Sequence, residues 1–125
     1  WDEASNHRGW LLGQRDKGPI SYRRTPVVNP TECAFLPNGD LLVLERGVSM
    51  LAFVMNLRRV PAADVRPGTT MEGELLLSAT GGSIDNMEAM AVHTAPNGET
   101  RILIGSDNNF NDWQRTLLLE FALAE

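Results

Sequence analysis

Cysteine is almost absent from this chain, and aromatic residues are scarce. Among 125 residues there is one cysteine, Cys33, and 6% of the residues are aromatic. A single cysteine cannot form an internal disulfide, a Cys-x-x-Cys redox pair or a cysteine-rich zinc site. Because Cys33 lies within an apolar strand pattern, we expect a small buried side chain rather than a reactive thiol.

Long apolar runs and a surplus of positive charge are also lacking. No stretch approaches the roughly 20 apolar residues of a membrane-spanning helix. The net charge is -5 and the isoelectric point is about 5.0. This balance disfavours nucleic acid and anionic membrane as partners, because both require a positive protein surface. The chain starts at Trp1 without an initiator methionine or a visible export leader, and we expect upstream residues to be missing.

What the sequence does contain is a series of short runs rich in leucine, valine and isoleucine, separated by turn clusters such as Pro-Asn-Gly. This pattern is typical of strands. Strands are predicted at residues 20–24, 31–36, 40–45, 50–60, 74–79, 88–94, 100–105 and 116–123, and one short helical turn at 61–64. Residues 41–44 and 102–104 are continuously apolar, which indicates strands buried on both faces. Residues 1–19 show no clear period and are predicted to be a loop or the remnant of a preceding unit.

An internal repeat organises these strands. Residues 29–32, Asn-Pro-Thr-Glu, are followed by a Pro-Asn-Gly turn and an apolar strand. Residues 86–88, Asn-Met-Glu, are followed by a second Pro-Asn-Gly turn and another apolar strand. The glutamates Glu32 and Glu88 are 56 residues apart and the two turns are 59 apart. A period of about 50–60 residues suits one blade of a β-propeller, whereas the alternative is two unrelated hairpins with similar turns.

The expected fold class is therefore all-β, with antiparallel four-stranded blades that form a partial β-propeller of about two blades. A complete propeller needs at least about four blades of four strands. Residues 1–27 are assigned to a loop or preceding-blade remnant, and residues 28–125 to the propeller part. We expect missing chain or other copies to cover the open blade faces, because large exposed apolar patches are rare. A small self-contained β-sandwich is the alternative that the repeat disfavours.

Oxygen-bearing side chains lie at two places that a hairpin would bring together. Glu88 begins one predicted strand, and Asp107, Asn108 and Asn109 follow the end of the next. In an antiparallel hairpin these positions lie at the same end, and carboxylate and amide oxygens suit Ca²⁺. Glu32 occupies the corresponding place in the first repeat. The alternative is ordinary loop chemistry, in which aspartate and asparagine cap turns and Glu88 pairs with an arginine.

Several of these blocks resemble the family called esterase-like activity of phytase. They are residues 30–46, which include Leu-Pro-Asn-Gly-Asp-Leu-Leu-Val-Leu-Glu-Arg, and residues 57–61, 85–90, 106–110 and 114–121. Together the blocks extend over residues 28–124. Motifs for other chemistries, such as a Gly-x-Ser-x-Gly elbow, a P-loop or an EF-hand, are missing from the sequence.

The resemblance implies a bacterial, usually exported propeller-type domain with a longer chain than this one, similar in architecture to phytases and to calcium-dependent propeller esterases. It therefore implies a periplasmic or secreted location. Two positions depart from the family. It typically has Gly where this chain has Ala89, and Asp where this chain has Asn108. Replacing a carboxylate by an amide removes a charge from any cation site, although the amide still offers an oxygen.

Two functions follow as expectations. The first is a metal-assisted ester or phosphoester hydrolase, in which Glu88 and Asp107 hold Ca²⁺ and Arg46 or Arg115 stabilises developing negative charge. Its substrate would be a small-molecule ester or phosphoester. The second is a non-catalytic propeller scaffold that binds a ligand or a protein at the same end. The resemblance favours the hydrolase, but the negative net charge disfavours a true phytase, which must hold a highly anionic substrate.

Overall fold

The computed structural model describes residues 1–124 and folds them almost entirely into β-strands. The strands are β1 (His7–Leu12), β2 (Lys17–Tyr22), β3 (Val28–Phe35), β4 (Leu41–Ser49), β5 (Ala52–Val60), β6 (Thr70–Met71), β7 (Glu74–Thr80), β8 (Met87–Thr94), β9 (Thr100–Ser106) and β10 (Leu118–Ala122). Within these residues the single helical element is a short 3₁₀ turn, Ala62–Asp64, which follows Pro61. The predicted all-β class and the predicted turn are confirmed. The described part of the chain contains no helix with the length and hydropathy needed to cross a membrane.

The first blade is a four-stranded antiparallel sheet in the order β3-β4-β5-β7. All four apolar side chains at positions 41–44 of β4 are buried. Leu42 and Leu44 pack into a core with Met55 and Leu57, while Val43 lies on the opposite face in a second core. Successive side chains of a strand point to opposite faces, so a continuously apolar strand needs a core on each side. The predicted double burial of this strand is confirmed.

The second blade is a three-stranded antiparallel sheet in the order β8-β9-β10. Ile102 and Ile104 join the core that it shares with the first blade, together with Met87. Leu103 points to the other face and is half-buried, so the double burial predicted for 102–104 is wrong. The described residues also provide three strands here rather than the four that the repeat predicted. The small antiparallel sheets are compatible with a propeller-like arrangement, although they do not close into a ring.

The same type of turn joins the first two strands of each blade, which supports the internal repeat. In the first blade, Oδ1 of Asn38 accepts the backbone N–H of Asp40 at 3.0 Å. In the second, Oδ1 of Asn97 accepts the backbone N–H of Glu99 at 3.1 Å. The glycine of each turn has a positive φ, 90° in the first and 85° in the second. Glycine adopts this conformation without steric cost, which explains why Pro-Asn-Gly occurs at both places.

The first strand of each blade also carries a β-bulge at an equivalent place. In β3 the register shifts around Thr31, and in β8 it shifts around Glu88. The structural counterpart of Glu88 is therefore Thr31, and the sequence-based pairing of Glu88 with Glu32 is wrong by one residue. A bulge leaves one residue unpaired and redirects its side chain. This local feature determines where Glu88 points.

The N-terminal residues form more structure than the sequence indicated. β1 and β2 make an antiparallel hairpin, and β6 pairs in parallel with β2 to complete a third sheet. Ile20 and Tyr22 of this sheet pack against the second core of the first blade. Of the two alternatives for residues 1–19, the loop does not agree with the hairpin. The remnant of a preceding unit, and the division of the chain after residue 27, stay predictions.

Candidate functional site

The bulge in β8 turns Glu88 toward the first blade. Nη2 of Arg46, on β4, lies 4.0 Å from Oε1 of Glu88. The side-chain amide of Asn86 donates a short hydrogen bond to the same oxygen. The side chains of Arg46 and Glu88 are 34% and 39% exposed, so solvent reaches the pair. These three side chains, Arg46, Asn86 and Glu88, form a site across the interface between the blades, which we call the cross-blade site.

Two buried polar atoms of the cross-blade site have no hydrogen-bond partner among residues 1–124. They are Oδ1 of Asn86 and Nε of Arg46. Asn86 as a whole is only 2% exposed. An unpaired buried polar atom costs about 1–3 kcal/mol, and native proteins keep few of them. The site therefore combines an unpaired acceptor and an unpaired donor next to an accessible carboxylate.

Asp85 and Arg115 attach the loop after β9 to the start of β8. Oδ2 of Asp85 accepts the backbone N–H of Arg115 at 2.9 Å, and the Nε atom of Arg115 lies 3.8 Å from the same oxygen. Nη2 of Arg115 donates to the carbonyl oxygen of Gly82 at 2.8 Å. None of these contacts involves Glu88 or Arg46. The structure thus places the two predicted catalytic arginines differently: Arg46 in the cross-blade site, Arg115 in a loop attachment.

The hairpin argument predicted that the start of β8 and the end of β9 lie at the same end of the sheet. Asp107 lies at that end, beside Asn86, but its carboxylate caps its own loop. The backbone N–H of Asp107 donates to the carbonyl oxygen of Asn86 at 3.3 Å. Oδ1 of Asp107 accepts the N–H of Asn109 at 3.0 Å, and Oδ1 of Asn108 accepts the N–H of Phe110 at 3.1 Å. The start of β8 and the end of β9 therefore meet. The side chains make the loop-capping contacts that the alternative interpretation expected.

The predicted calcium ligands offer suitable oxygens, but they do not form a compact acidic cluster. Among residues 1–124, no three histidine, cysteine, aspartate or glutamate side chains converge to hold a metal ion. Glu32 is exposed on β3, where its Oε1 accepts the N–H of Cys33 at 2.9 Å. The unpaired Oδ1 of Asn86 adds an oxygen donor that the sequence reasoning missed. Calcium binding at Glu88 and Asp107 stays a prediction.

Cys33 is exposed, so the predicted burial of this side chain is wrong. It lies on β3, which is an edge strand of its sheet, and it lines a groove of about 760 Å³ with Trp10 and Phe35. Partial burial, and then the charge of Glu32, raise the pKa of the Cys33 thiol. Because the thiolate is the nucleophilic form, the raised pKa lowers the fraction of reactive thiolate, and the absence of a reactive role stays a prediction.

A second polar cluster, which the sequence analysis did not predict, lies on the face of β4 opposite to Arg46. Glu45 is 1% exposed, and its carboxylate accepts hydrogen bonds from the hydroxyl of Tyr22 at 2.9 Å, from Nδ2 of Asn56 at 3.2 Å and from Nε of Arg58 at 3.0 Å. Burial, and then the negative charge of Glu45, raise the pKa of Tyr22. In this cluster, hereafter the Glu45 network, three hydrogen-bond donors satisfy the buried carboxylate of Glu45, and the network joins the N-terminal sheet to the first blade.

Comparison with known proteins gives one result for this chain. A family model described as "Phytase-like: Esterase-like activity of phytase" matches residues 4–110. The match includes the N-terminal hairpin and all strands from β1 to β9. It begins earlier than the resemblance that the sequence motifs suggested, and it stops before residues 114–121. No curated protein and no solved structure gives a significant match.

Proposed function

The chain belongs to the phytase-like family, esterase-like activity of phytase, and from this premise we propose that it contributes to the hydrolysis of a small-molecule ester or phosphoester at the cross-blade site. The supporting observation is the β-bulge that turns Glu88 toward Arg46 and leaves both side chains accessible. Bulges are frequent next to active sites because they redirect a side chain. We also propose a periplasmic or secreted location, which rests on the family resemblance alone.

In this proposal each residue of the site has a separate role. The guanidinium of Arg46 binds the carbonyl or phosphoryl oxygen and stabilises the negative charge that develops on it. Glu88 orients the attacking water and accepts its proton. Arg115 acts at a distance, because it holds the loop that carries Asp107 against the start of β8.

Ca²⁺ fits the oxygen chemistry of this end of the sheet. Glu88 and Asp107 would supply carboxylates, and the unpaired Oδ1 of Asn86 together with Asn108 or Asn109 would supply amide oxygens. When bound, the ion would supply positive charge that polarises the ester oxygen. Arg46 already places a positive charge 4.0 Å from Glu88, so we expect weak binding.

A non-catalytic scaffold is the second candidate, and one observation favours it. The carboxylate of Asp85 accepts the backbone N–H groups of Asn86 and Arg115, and that of Asp107 accepts the N–H of Asn109 in its own loop, which is a structural use of acidic side chains. In this case the same end of the blades would bind a ligand or a protein without converting it.

The two candidates are separated by assaying the purified protein for hydrolysis of p-nitrophenyl acetate and p-nitrophenyl phosphate, with and without calcium, alongside calcium calorimetry. The test variant is Glu88→Gln, and the matched control is Glu74→Gln, an exposed glutamate on β7. We expect Glu88→Gln to abolish hydrolysis and to weaken calcium binding, while Glu74→Gln changes neither. Hydrolysis that survives in Glu88→Gln would contradict the proposed site, and ligand binding without hydrolysis would support the scaffold.

A further inference from the structure

Two loops next to the cross-blade site expose large apolar side chains. The turn between β4 and β5 carries Met50 and Leu51, and the loop between β9 and β10 carries Phe110 and Trp113. Each of these four side chains is at least 94% exposed. Soluble proteins rarely group exposed apolar side chains, and such groups mark sites of interaction. We call these four residues the apolar tips.

The register of the strands places the apolar tips at the same end of the blades as the cross-blade site. In the first blade, Met50 follows Arg46 by four residues of the same hairpin, which is a length of about 13 Å in a strand. In the second blade, Ser106 pairs with Met87, the residue before Glu88, and the loop follows directly. Since Arg46 contacts Glu88 between the blades, both loops extend beyond the site in the same direction.

The backbone of both loops shows that turn formation does not account for these residues. Met50, Leu51 and Phe110 have positive φ angles of 49°, 66° and 55°. Bulky residues rarely adopt this conformation, and a two-residue hairpin loop with two positive φ angles favours asparagine and glycine. Backbone strain of this kind is concentrated at functional sites. The loops therefore carry apolar side chains that neither the turns nor the protein core requires.

Packing between blades does not account for the exposure of the apolar tips either. Neighbouring blades of a propeller pack against the faces of a sheet, whereas the apolar tips lie beyond the ends of strands. Loops at such ends stay on the surface and commonly carry function. Leu12 provides a contrast, because this exposed residue lies at the opposite end of the strands, in the groove beside Gly39. The apolar tips therefore suit a partner outside the propeller.

The charges near the apolar tips favour a lipid layer without net charge as this partner. Residues 107–113, Asp-Asn-Asn-Phe-Asn-Asp-Trp, contain two carboxylates and no lysine or arginine, and the net charge of the chain is -5. Anionic lipids attract basic segments, so they would repel this loop. Tryptophan, phenylalanine and leucine bind at the boundary between lipid headgroups and acyl chains. An uncharged lipid layer therefore matches both the apolar tips and their acidic surroundings.

We propose that the apolar tips insert into the surface of an uncharged lipid layer, and that the substrate of the cross-blade site is a carboxylic ester with a long acyl chain held in that layer. The second part rests on the hydrolysis proposed above, whereas the first can be measured without it. Interfacial binding strengthens with the apolar area that leaves water, and all four apolar tips contribute to that area.

The proposed hydrolysis consumes water alone. The oxygen of the water forms a bond to the acyl carbon, and Glu88 accepts the proton that this oxygen releases. The bond between the acyl carbon and the alcohol oxygen then breaks, and the proton passes from Glu88 to that oxygen. The products are a long-chain carboxylic acid and an alcohol.

The first experiment measures binding of the purified protein to phosphatidylcholine vesicles by co-flotation. The test variant combines Met50→Asn, Leu51→Gly and Phe110→Asn. These changes remove apolar side chains and introduce residues that suit positive φ angles, so both loops keep their shape. The matched control is Leu12→Asn. We expect the triple variant to bind at least about tenfold more weakly than the unchanged protein, and the control to differ by less than about threefold.

The second experiment compares the hydrolysis of p-nitrophenyl palmitate held in phosphatidylcholine vesicles with that of p-nitrophenyl acetate in solution. We expect the triple variant to lose the palmitate rate by at least about tenfold, in proportion to its weaker binding, and to keep the acetate rate. Glu88→Gln should lose both rates and still bind vesicles. Vesicle binding without hydrolysis of either ester would support the lipid contact and contradict the proposed hydrolase.

Three outcomes would overturn the lipid contact. The first is the absence of binding to phosphatidylcholine vesicles. The second is an equal loss of vesicle binding in the triple variant and in Leu12→Asn. The third is self-association in place of vesicle binding that the triple variant abolishes, since that result would assign the apolar tips to a contact between copies of the protein. Equal losses of the palmitate and acetate rates in the triple variant would overturn the long-chain substrate.

Discussion

The two blades start from the same hairpin, yet their second strands lie in different surroundings. Leu42 of β4 pairs with Ala34 of the adjacent strand, and Leu103 of β9 pairs with Ala91. Ala34 and Ala91 lie at the same distance from the bulge in their strands, so the two leucines occupy equivalent positions in the two blades. Leu42 is fully buried in the core between the blades, whereas Leu103 is half-buried on the open face of the second blade. Similar apolar runs in the two sequences are therefore buried to different extents, because the burial of a side chain depends on which segment packs against its face of the sheet.

The polar ends of these strands differ in the same way. Glu45 pairs with Pro30, and Ser106 pairs with Met87; each partner is the residue immediately before the bulge of its strand. Glu45 binds three donors in the buried Glu45 network. Ser106 donates to the carbonyl oxygen of Arg115 at 2.7 Å and accepts the N–H of Leu117 at 2.8 Å. Each blade thus attaches its strand end to a different neighbour: the N-terminal sheet in one case, the loop after β9 in the other.

The largest loss of stability is expected at these polar positions. Glu45→Ala leaves Tyr22, Asn56 and Arg58 without their shared acceptor, and removing one partner of a buried charged pair costs about 3–5 kcal/mol. Ser106→Ala removes two ordinary hydrogen bonds at the edge of the core, which costs about 1–2 kcal/mol. Urea unfolding of both variants measures the difference, and equal losses would show that the two attachments are equivalent.

A somewhat smaller loss of stability is expected at the equivalent leucines. Leu42→Ala creates a cavity in a closed core and should lower the free energy of unfolding by about 2–5 kcal/mol. Leu103→Ala removes side-chain volume from an open face, where solvent fills the space, and should cost about 1 kcal/mol. Chemical denaturation of the two variants tests this, and a loss at Leu103 as large as that at Leu42 would mean that the open face is covered in solution.

Tyr22 allows a direct spectroscopic test of the Glu45 network, because it is the chain's one tyrosine. Burial and the charge of Glu45 raise its pKa in the folded protein. The neutral phenol is therefore favoured, and its contribution to stability is complete below the unfolded pKa of about 10 and is lost as the pH rises through the folded value. We expect tyrosinate absorbance to appear together with unfolding in an alkaline titration. Ionisation of Tyr22 while the protein stays folded would contradict the burial of its hydroxyl.

The smallest effect is expected at His7, in the N-terminal sheet. Burial, and then the charge of Arg24, lower the pKa of His7. A lowered histidine pKa contributes stability above the unfolded value of about 6.5, and this contribution is lost as the pH falls through the folded value. The free energy of unfolding should therefore decline in mild acid, and His7→Gln should reduce that decline. His93→Gln, a change at an exposed residue, is the control, and an equal effect of both variants would refute the assignment to His7.

The parts of the fold that local sequence determines could be predicted. The Pro-Asn-Gly turns and most strands follow from short apolar runs and turn residues, and the meeting of β8 and β9 follows from hairpin geometry. β1 was missed because His-Arg-Gly-Trp-Leu-Leu does not alternate. The position of Glu88 was misaligned by one residue because the sequence comparison matched glutamate with glutamate, whereas the equivalent bulges match Glu88 with Thr31.

The parts that depend on packing between distant segments could not be predicted. The sequence indicated Glu88 as a calcium ligand and Arg46 as a catalytic residue. The structure places the two side chains 4.0 Å apart, which is the glutamate–arginine contact that the alternative interpretation expected. Nothing in the sequence indicated that Asn86 would be buried with an unpaired oxygen, since burial there depends on the first blade. The contact of Tyr22 with Glu45 joins residues 23 positions apart, and it depends on a sheet that the sequence did not reveal.

The most direct test of the central claim, that Arg46 and Glu88 act together across the blade interface, is a double-mutant cycle on kcat/KM for p-nitrophenyl ester hydrolysis. The variants are Arg46→Gln, Glu88→Gln and their combination. The account predicts that the double variant loses little more than the worse single variant, with a coupling of at least about 1 kcal/mol, as for residues in contact. Losses that add independently, or single variants with wild-type activity, would contradict it.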